Sequence, residues 1–175
     1  MSELTETTVP IDRFGRCALL AWQHAAKARN EAPNDHRRPA IMTAHILLGV
    51  LQEPTCAGGL ILRSMGLDLQ LAIDTTRFML FYGRRPGGLG RMAGEIVQWQ
   101  KEPHTPESMR AIKHSLDEAE LFHAEYPIGT EHLLLGILRV TEGMAFSTLA
   151  HLGITHAGAR TARDTFWERL KLLEG

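Results

Sequence analysis

Two histidines, one acid and two cysteines are the residues whose chemistry this sequence has to explain. His45 and His132 recur in matching surroundings, Thr43-Ala44-His45 and Thr130-Glu131-His132. A recurring histidine invites a metal reading, because imidazole is a common zinc ligand. The neighbours of both are apolar, however, and no HExxH spacing or cysteine partner accompanies either. The expected role is a histidine at a helix start, satisfied by backbone groups, with no metal and no other cofactor. His114 and His123 lie nine residues apart, too poorly aligned on a helix to act together, and read as ordinary polar positions. Cys17 and Cys56 have no metal or redox spacing and are expected to be small, reduced core residues of a cytoplasmic protein. Asp117, Glu118 and Glu120 crowd one stretch, the pattern of a solvated helix face. No Ser-His-Asp or Cys-His arrangement has a recognisable local signature, so the chain is not expected to be an enzyme.

The elements that must position these residues are written twice. Thr43-Ala44-His45-Ile46-Leu47-Leu48-Gly49-Val50-Leu51 recurs as Thr130-Glu131-His132-Leu133-Leu134-Leu135-Gly136-Ile137-Leu138. The register holds without a gap to Leu62-Arg63-Ser64-Met65-Gly66-Leu67 and Leu149-Ala150-His151-Leu152-Gly153-Ile154. Repetition on this scale sets the architecture before any local reading. In the first copy a helix is predicted from about Asp12 to Ala32, with Phe14, Ala18, Ala21, Ala25 and Ala28 on one face and Trp22 beside them. A loop follows from Pro33 to Pro39. Thr43 is expected to cap a central helix, apolar nearly all round. A short third helix runs over about Thr55 to Met65 and is stopped by Gly66. Asp68 caps a fourth that reaches about Phe81. The second copy opens on Thr105-Pro106, a cap followed by proline at the first helical position, with Met109, Ile112, Leu116 and Ala119 as its apolar face. Thr130 is expected to cap the next helix and Gly153 to end the one after. The last helix runs from about Thr155 to Leu173, with Phe166 and Trp167 read as core. Gly49 and Gly136 share one place inside a leucine helix. The roughly 1 kcal/mol that glycine costs there predicts a close helix crossing at both.

Composition bounds the function. The chain of 175 residues is 44% apolar, 22% charged and 6% aromatic, ordinary for a globular protein with an aliphatic core. A formal net charge of -1 supplies no general attraction to nucleic acid or anionic membrane. The first ten residues lack the charged-then-apolar pattern of a signal peptide, and no apolar run approaches the roughly 20 residues that cross a bilayer. Arg84, Arg85 and Arg91, set among glycines, read as a solvated linker, and 94–101 as a turn or short helix.

The second copy carries a resemblance. Gly129-Thr130-Glu131-His132-Leu133-Leu134-Leu135-Gly136-Ile137-Leu138-Arg139, followed by Glu142-Gly143-Met144-Ala145, resembles the GTEHLLLGLLR signature of the Clp N-terminal domain. That domain is the double-repeat helical head of the ClpA- and ClpC-type unfoldases, and the resemblance covers about residues 12 to 173. It implies an all-α fold: two pseudo-twofold-related four-helix repeats forming one compact domain. The implied organisation is a flexible N-terminus at 1–11, repeat one at 12–81, a Gly/Arg-containing linker at 82–104 and repeat two at 105–173. No GxxxxGK[ST] loop occurs, so the ATPase modules of an unfoldase are not in this sequence, which is either a stand-alone protein of this type or a piece of something larger.

In the family this domain docks substrates and adaptors, and in the ClpC branch it also recognises phosphorylated arginine. The acid of each GTEH motif grips the guanidinium beside a helix N-terminus. Carried over residue by residue, the resemblance implies a ligand site in the second copy at Glu131, Thr105 and Thr130. Its first-copy equivalent is degenerate, with Ala44 in place of the acid and Gly15 in place of the threonine. Glu131 also has a plain structural role open to it, as a favourable acid in a first helical turn. The leading functional expectation is a non-enzymatic protein that binds substrates, adaptors or Clp unfoldase and protease subunits and so modulates ATP-dependent proteolysis. A second is a decoy that sequesters small molecules or peptides aimed at the unfoldase. A third, a helical nucleic-acid-associated protein using the arginine linker, is disfavoured by the near-zero net charge.

Overall fold

Small side chains on one helix and a glycine on the next decide how this chain packs. In the computed structural model, which describes residues 11–31, 40–82, 96–97, 102–123 and 125–174, a 3-10 turn at Ile11–Arg13 leads into α1 (Arg16–Asn30). Then come α2 (Thr43–Leu51), α3 (Ala57–Ser64) and α4 (Leu69–Tyr82), two short strands, β1 (Ile96–Val97) and β2 (Glu102–Pro103), and α5 (Pro106–His123), α6 (Thr130–Arg139), α7 (Met144–His151) and α8 (His156–Glu174). Ala18, Ala21 and Ala25 give α1 a flat face, and α2 crosses it so closely that a methyl group on Gly49 would strike the Ala21 carbonyl. A methyl group on Gly136 would strike the Ala111 carbonyl of α5 in the same way. The repeated glycine is therefore a packing requirement at both crossings.

The two halves exchange places around a pseudo-twofold axis. α1 packs on α2 as α5 packs on α6; α3 meets α6 as α7 meets α2; α4 meets α7 as α8 meets α3. Such reciprocity is what a twofold relation requires of any contact between equivalent units. The central pair, α2 and α6, also touch each other. Every residue of α2 is buried, as is every residue of α6 except Arg139. The apolar core runs through both halves, from Phe14, Trp22 and Leu47 to Leu134, Ile137 and Leu149. The fold is all-α, the two-residue strands apart.

Several terminators behave as the sequence predicts. Gly66 and Gly153 have φ of 83° and 77°, and the amides beyond them close back on the last helical turn, Leu67 N–H to Leu62 O and Ile154 N–H to Leu149 O. The Asp68 carboxylate accepts from the amides of Gln70 and Leu71, and Thr105 Oγ1 from the amide of Ser108.

Three expectations are overturned. Thr43 and Thr130 are the first helical residues, not the caps; the caps are Met42 and Gly129, whose amides are taken by the histidines three residues on. Cys17 and Cys56 are joined in a disulfide, their Cα atoms 6.1 Å apart, because the first turn of α1 comes alongside the residue that caps α3. Of the 94–101 stretch the described residues are Ile96 and Val97, which are extended and pair antiparallel with Pro103 and Glu102; the rest of it lies outside the described residues. Glu118 is not on a solvated face. Ser108, Ala111, Ser115 and Glu118 form one buried stripe against α6. Residues 1–10, the Pro33–Pro39 loop and the arginines of the linker lie outside the described residues.

Candidate functional site

The site takes shape where a helix start in one repeat meets a helix start in the other. Ahead of α6, Ile128 accepts a hydrogen bond from the Gly15 amide at 2.9 Å, and its own amide donates to Arg13 O. Ahead of α2, Ile41 accepts from the Thr105 amide at 3.0 Å. Phe14 thus pairs with Ile128, and His104 with Ile41, as parallel bridges between the repeats. Each cradle is built from both copies. The threonine–acid combination expected within copy two is consequently split. Thr105 stands at the start of α2, where the acid position is Ala44, and Glu131 stands at the start of α6, where the threonine position is Gly15. Thr130 is fully buried, and its hydroxyl accepts from the Gly58 amide at 2.9 Å, holding the first turn of α3 against α6.

Glu131 is 5% exposed. Its carboxylate folds back over Gly129, where a β-carbon would collide with both oxygens. Burial raises its pKa above the ordinary carboxylate value; the hydrogen bond from its own amide and the positive charge of Arg163 oppose that rise. His132 accepts the Gly129 amide through Nδ1 at 3.0 Å, and His45 accepts the Met42 amide at the same distance. Both histidines therefore have the predicted backbone role, with the proton of the neutral ring on Nε2. Burial, aided by Arg163 for His132 and Arg29 for His45, lowers each pKa to about 4.

One cluster escaped sequence reading. Glu118, 1% exposed, lies 3.1 Å from His156 Nε2, 3.5 Å from Arg163 Nη1 and 3.7 Å from Arg139 Nη1. It ties α5, α6 and α8 together. Arg163 also covers the Phe122 ring at 4.7 Å, and Phe122, Tyr126, Phe166 and Trp167 form a half-buried to exposed aromatic group. The available signal was the small-residue stripe at 108, 111 and 115, which Glu118 continues at helical spacing; the surrounding acids concealed it. Among the described residues no group of three or more His, Cys, Asp or Glu side chains could hold a metal ion, and no single helix is long and apolar enough to cross a membrane.

No family model matches the chain. The chain is 30% identical over 148 residues to the ATP-dependent Clp protease ATP-binding subunit ClpC of Staphylococcus epidermidis, and equally so to that of Staphylococcus aureus strain USA300. Those alignments take in 84% of this chain but 16% of each relative. In structure it is similar to the N-terminal domain of the caseinolytic protease associated chaperone ClpD from Arabidopsis thaliana, with a TM-score of 0.68, 19% identity, and coverage of 93% of this chain and 99% of that one. The likeness falls on the N-terminal domain and not on the ATPase modules. With two copies of one four-helix unit, the same fold as the ClpD domain and sequence kinship to ClpC, the chain belongs to the Clp N-terminal domain family.

Proposed function

We propose that this chain is a non-enzymatic docking module of Clp proteolysis, binding substrates, adaptors or Clp subunits and so modulating ATP-dependent degradation. The observation that carries the reading is the α6 cradle: a carboxylate retained against desolvation at a helix start, walled by elements of both repeats. Glu131 is the residue proposed to grip a cationic group of the ligand, a guanidinium being the best match to a planar carboxylate. The α6 N-terminus favours a neighbouring negative charge, so a phosphorylated arginine in a partner fits both features. The split of Thr105 from Glu131 makes the two cradles chemically unlike. The one at α2 presents Thr105 beside Ala44, with no acid at that position, and is proposed to take peptide groups without a guanidinium.

The test is capture of partners from native lysate by immobilised protein, with Glu131→Gln alongside. The substitution is isosteric and removes a buried charge, so the variant is expected to fold. Retention of Clp subunits or arginine-phosphorylated proteins by the parent, lost about tenfold or more in the variant, supports the reading; a lost charged hydrogen bond accounts for that scale. Equal capture by both proteins removes Glu131 from the site. Capture of neither class removes the Clp reading and returns weight to the decoy.

A further inference from the structure

The disulfide sits where it can control one cradle and not the other. Cys17 is in the first turn of α1, two residues beyond Gly15, whose amide bonds Ile128. Cys56 caps α3, two residues before Gly58, whose amide bonds Thr130. Both ends of the bond therefore belong to segments of repeat one that hold the start of α6, one at Ile128 and the other at Thr130. The positions related to Cys17 and Cys56 beside the α2 cradle are Glu107 and Gly143, which cannot be joined. The repeats are symmetric in their contacts and asymmetric in this clip. The clipped cradle is the one that keeps an acid.

We infer that the Cys17–Cys56 pair is a redox-operated clip on the α6 cradle, closed in the disulfide state and loosened in the dithiol state. The inference deepens the docking reading, since the cradle it controls is the proposed Glu131 site. Reduction needs a cellular dithiol as co-reactant. Its thiolate attacks Sγ of Cys17, the half-buried partner, while Cys56 is 7% exposed. The Cys17–Cys56 bond breaks and Cys56 leaves as a thiolate that takes up a proton. The second thiol of the reductant then displaces Cys17. The protein gains two electrons and two protons, and the reductant becomes a disulfide. The new Cys56 thiol has an acceptor at hand in Glu53 Oε2, 3.8 Å from its sulfur. Glu53 is itself held by His24 at 2.9 Å, so the reduced state has a defined place for the thiol proton. Without the covalent link, the α1 start is held to the α6 start through Ile128 and the α3 start through Thr130, and the two segments can open separately. Bonds of this kind are transient and sensing where thiols are kept reduced, and they persist where they are not.

The experiment is amide hydrogen exchange on the full chain, oxidised with glutathione disulfide or reduced with dithiothreitol, with free thiols counted in each sample. Reduction is expected to expose two thiols and to speed exchange about tenfold at Gly58 and at 130–133, with 43–46 at the α2 start unchanged. Cys17→Ser/Cys56→Ser is expected to show the fast pattern under both conditions. Failure of the cysteines to join under oxidant overturns the inference. So does exchange at 130–133 that ignores the redox state, or a speeding at 43–46 as large as at 130–133, which would mark general loosening. None of these readouts involves a Clp partner, so the clip and the docking reading stand or fall separately.

Discussion

At the scale of single residues, the α6 start joins two titrations of opposite sign. His132 has a folded pKa of about 4 against 6.5 when unfolded, so between those values the unfolded chain binds protons that the folded one refuses. The stability this ring protects is whole above pH 6.5 and is lost as pH falls toward 4; His45 acts in the same sense. His132→Gln keeps an acceptor for the Gly129 amide, since a glutamine three residues after the cap can reach back to the cap's backbone N–H. It is expected to keep its melting temperature at pH 7.5 within a few degrees and to lose clearly less than the parent between pH 6.5 and 4.5. An unchanged acid slope would show that His132 does not carry the loss. Glu131 runs the other way. Its folded pKa is raised, so its charged form costs stability as pH rises through that value. Glu131→Gln is expected to raise the melting temperature at pH 7.5, measured by calorimetry. A buried charge retained at a cost to stability is the pattern of a residue kept for binding; a fall in melting temperature would show instead that the carboxylate supports the fold.

At the scale of elements, two helix crossings depend on the absence of a side chain. A β-carbon at Gly136 would meet the Ala111 carbonyl and the Ser115 side chain, and neither backbone can withdraw without moving a helix. Gly136→Ala is expected to destabilise the fold by about 1–3 kcal/mol, and Gly136→Leu by more, through overpacking. Urea denaturation checks this; a midpoint equal to the parent's would mean that the crossing is looser than the geometry shows. The same crossing explains why Ser115 and Glu118 are inside. A face of small residues brings α5 close to α6, and a long side chain at the end of that face is carried into the interior, where Arg163 and Arg139 offset its charge and His156 lies within hydrogen-bond distance.

At the scale of the whole molecule, the two repeats are held by a shared core and by side chains that reach across the axis. Thr130 is one such link. Thr130→Val keeps the shape but leaves the buried Gly58 amide without its acceptor, a loss of about 1–3 kcal/mol. The expected sign of this is a lowered denaturation midpoint together with faster exchange of the Gly58 amide. A stable variant with a protected amide would show that α3 is held by packing alone. The crossed cradles have the same origin. A twofold arrangement in which α1 meets the α6 start and α5 meets the α2 start necessarily divides each motif between two mouths.

Periodicity and repetition were enough to place the helices, because they depend on near neighbours: the caps at Asp68 and Thr105, the left-handed stops at Gly66 and Gly153, and the crossing glycines are all local or repeated signals. The backbone role of His45 and His132 was legible for the same reason, each histidine reaching only three residues back. What the tertiary structure alone decided involves residues far apart in the chain. The Cys17–Cys56 bond spans 39 residues. The meeting of Gly15 with the α6 start and of Thr105 with the α2 start joins opposite repeats. Glu118 finds its partners on α6 and α8. A motif states which residues lie together along one helix; which helix faces it is set by how the apolar faces of both copies close on a common core.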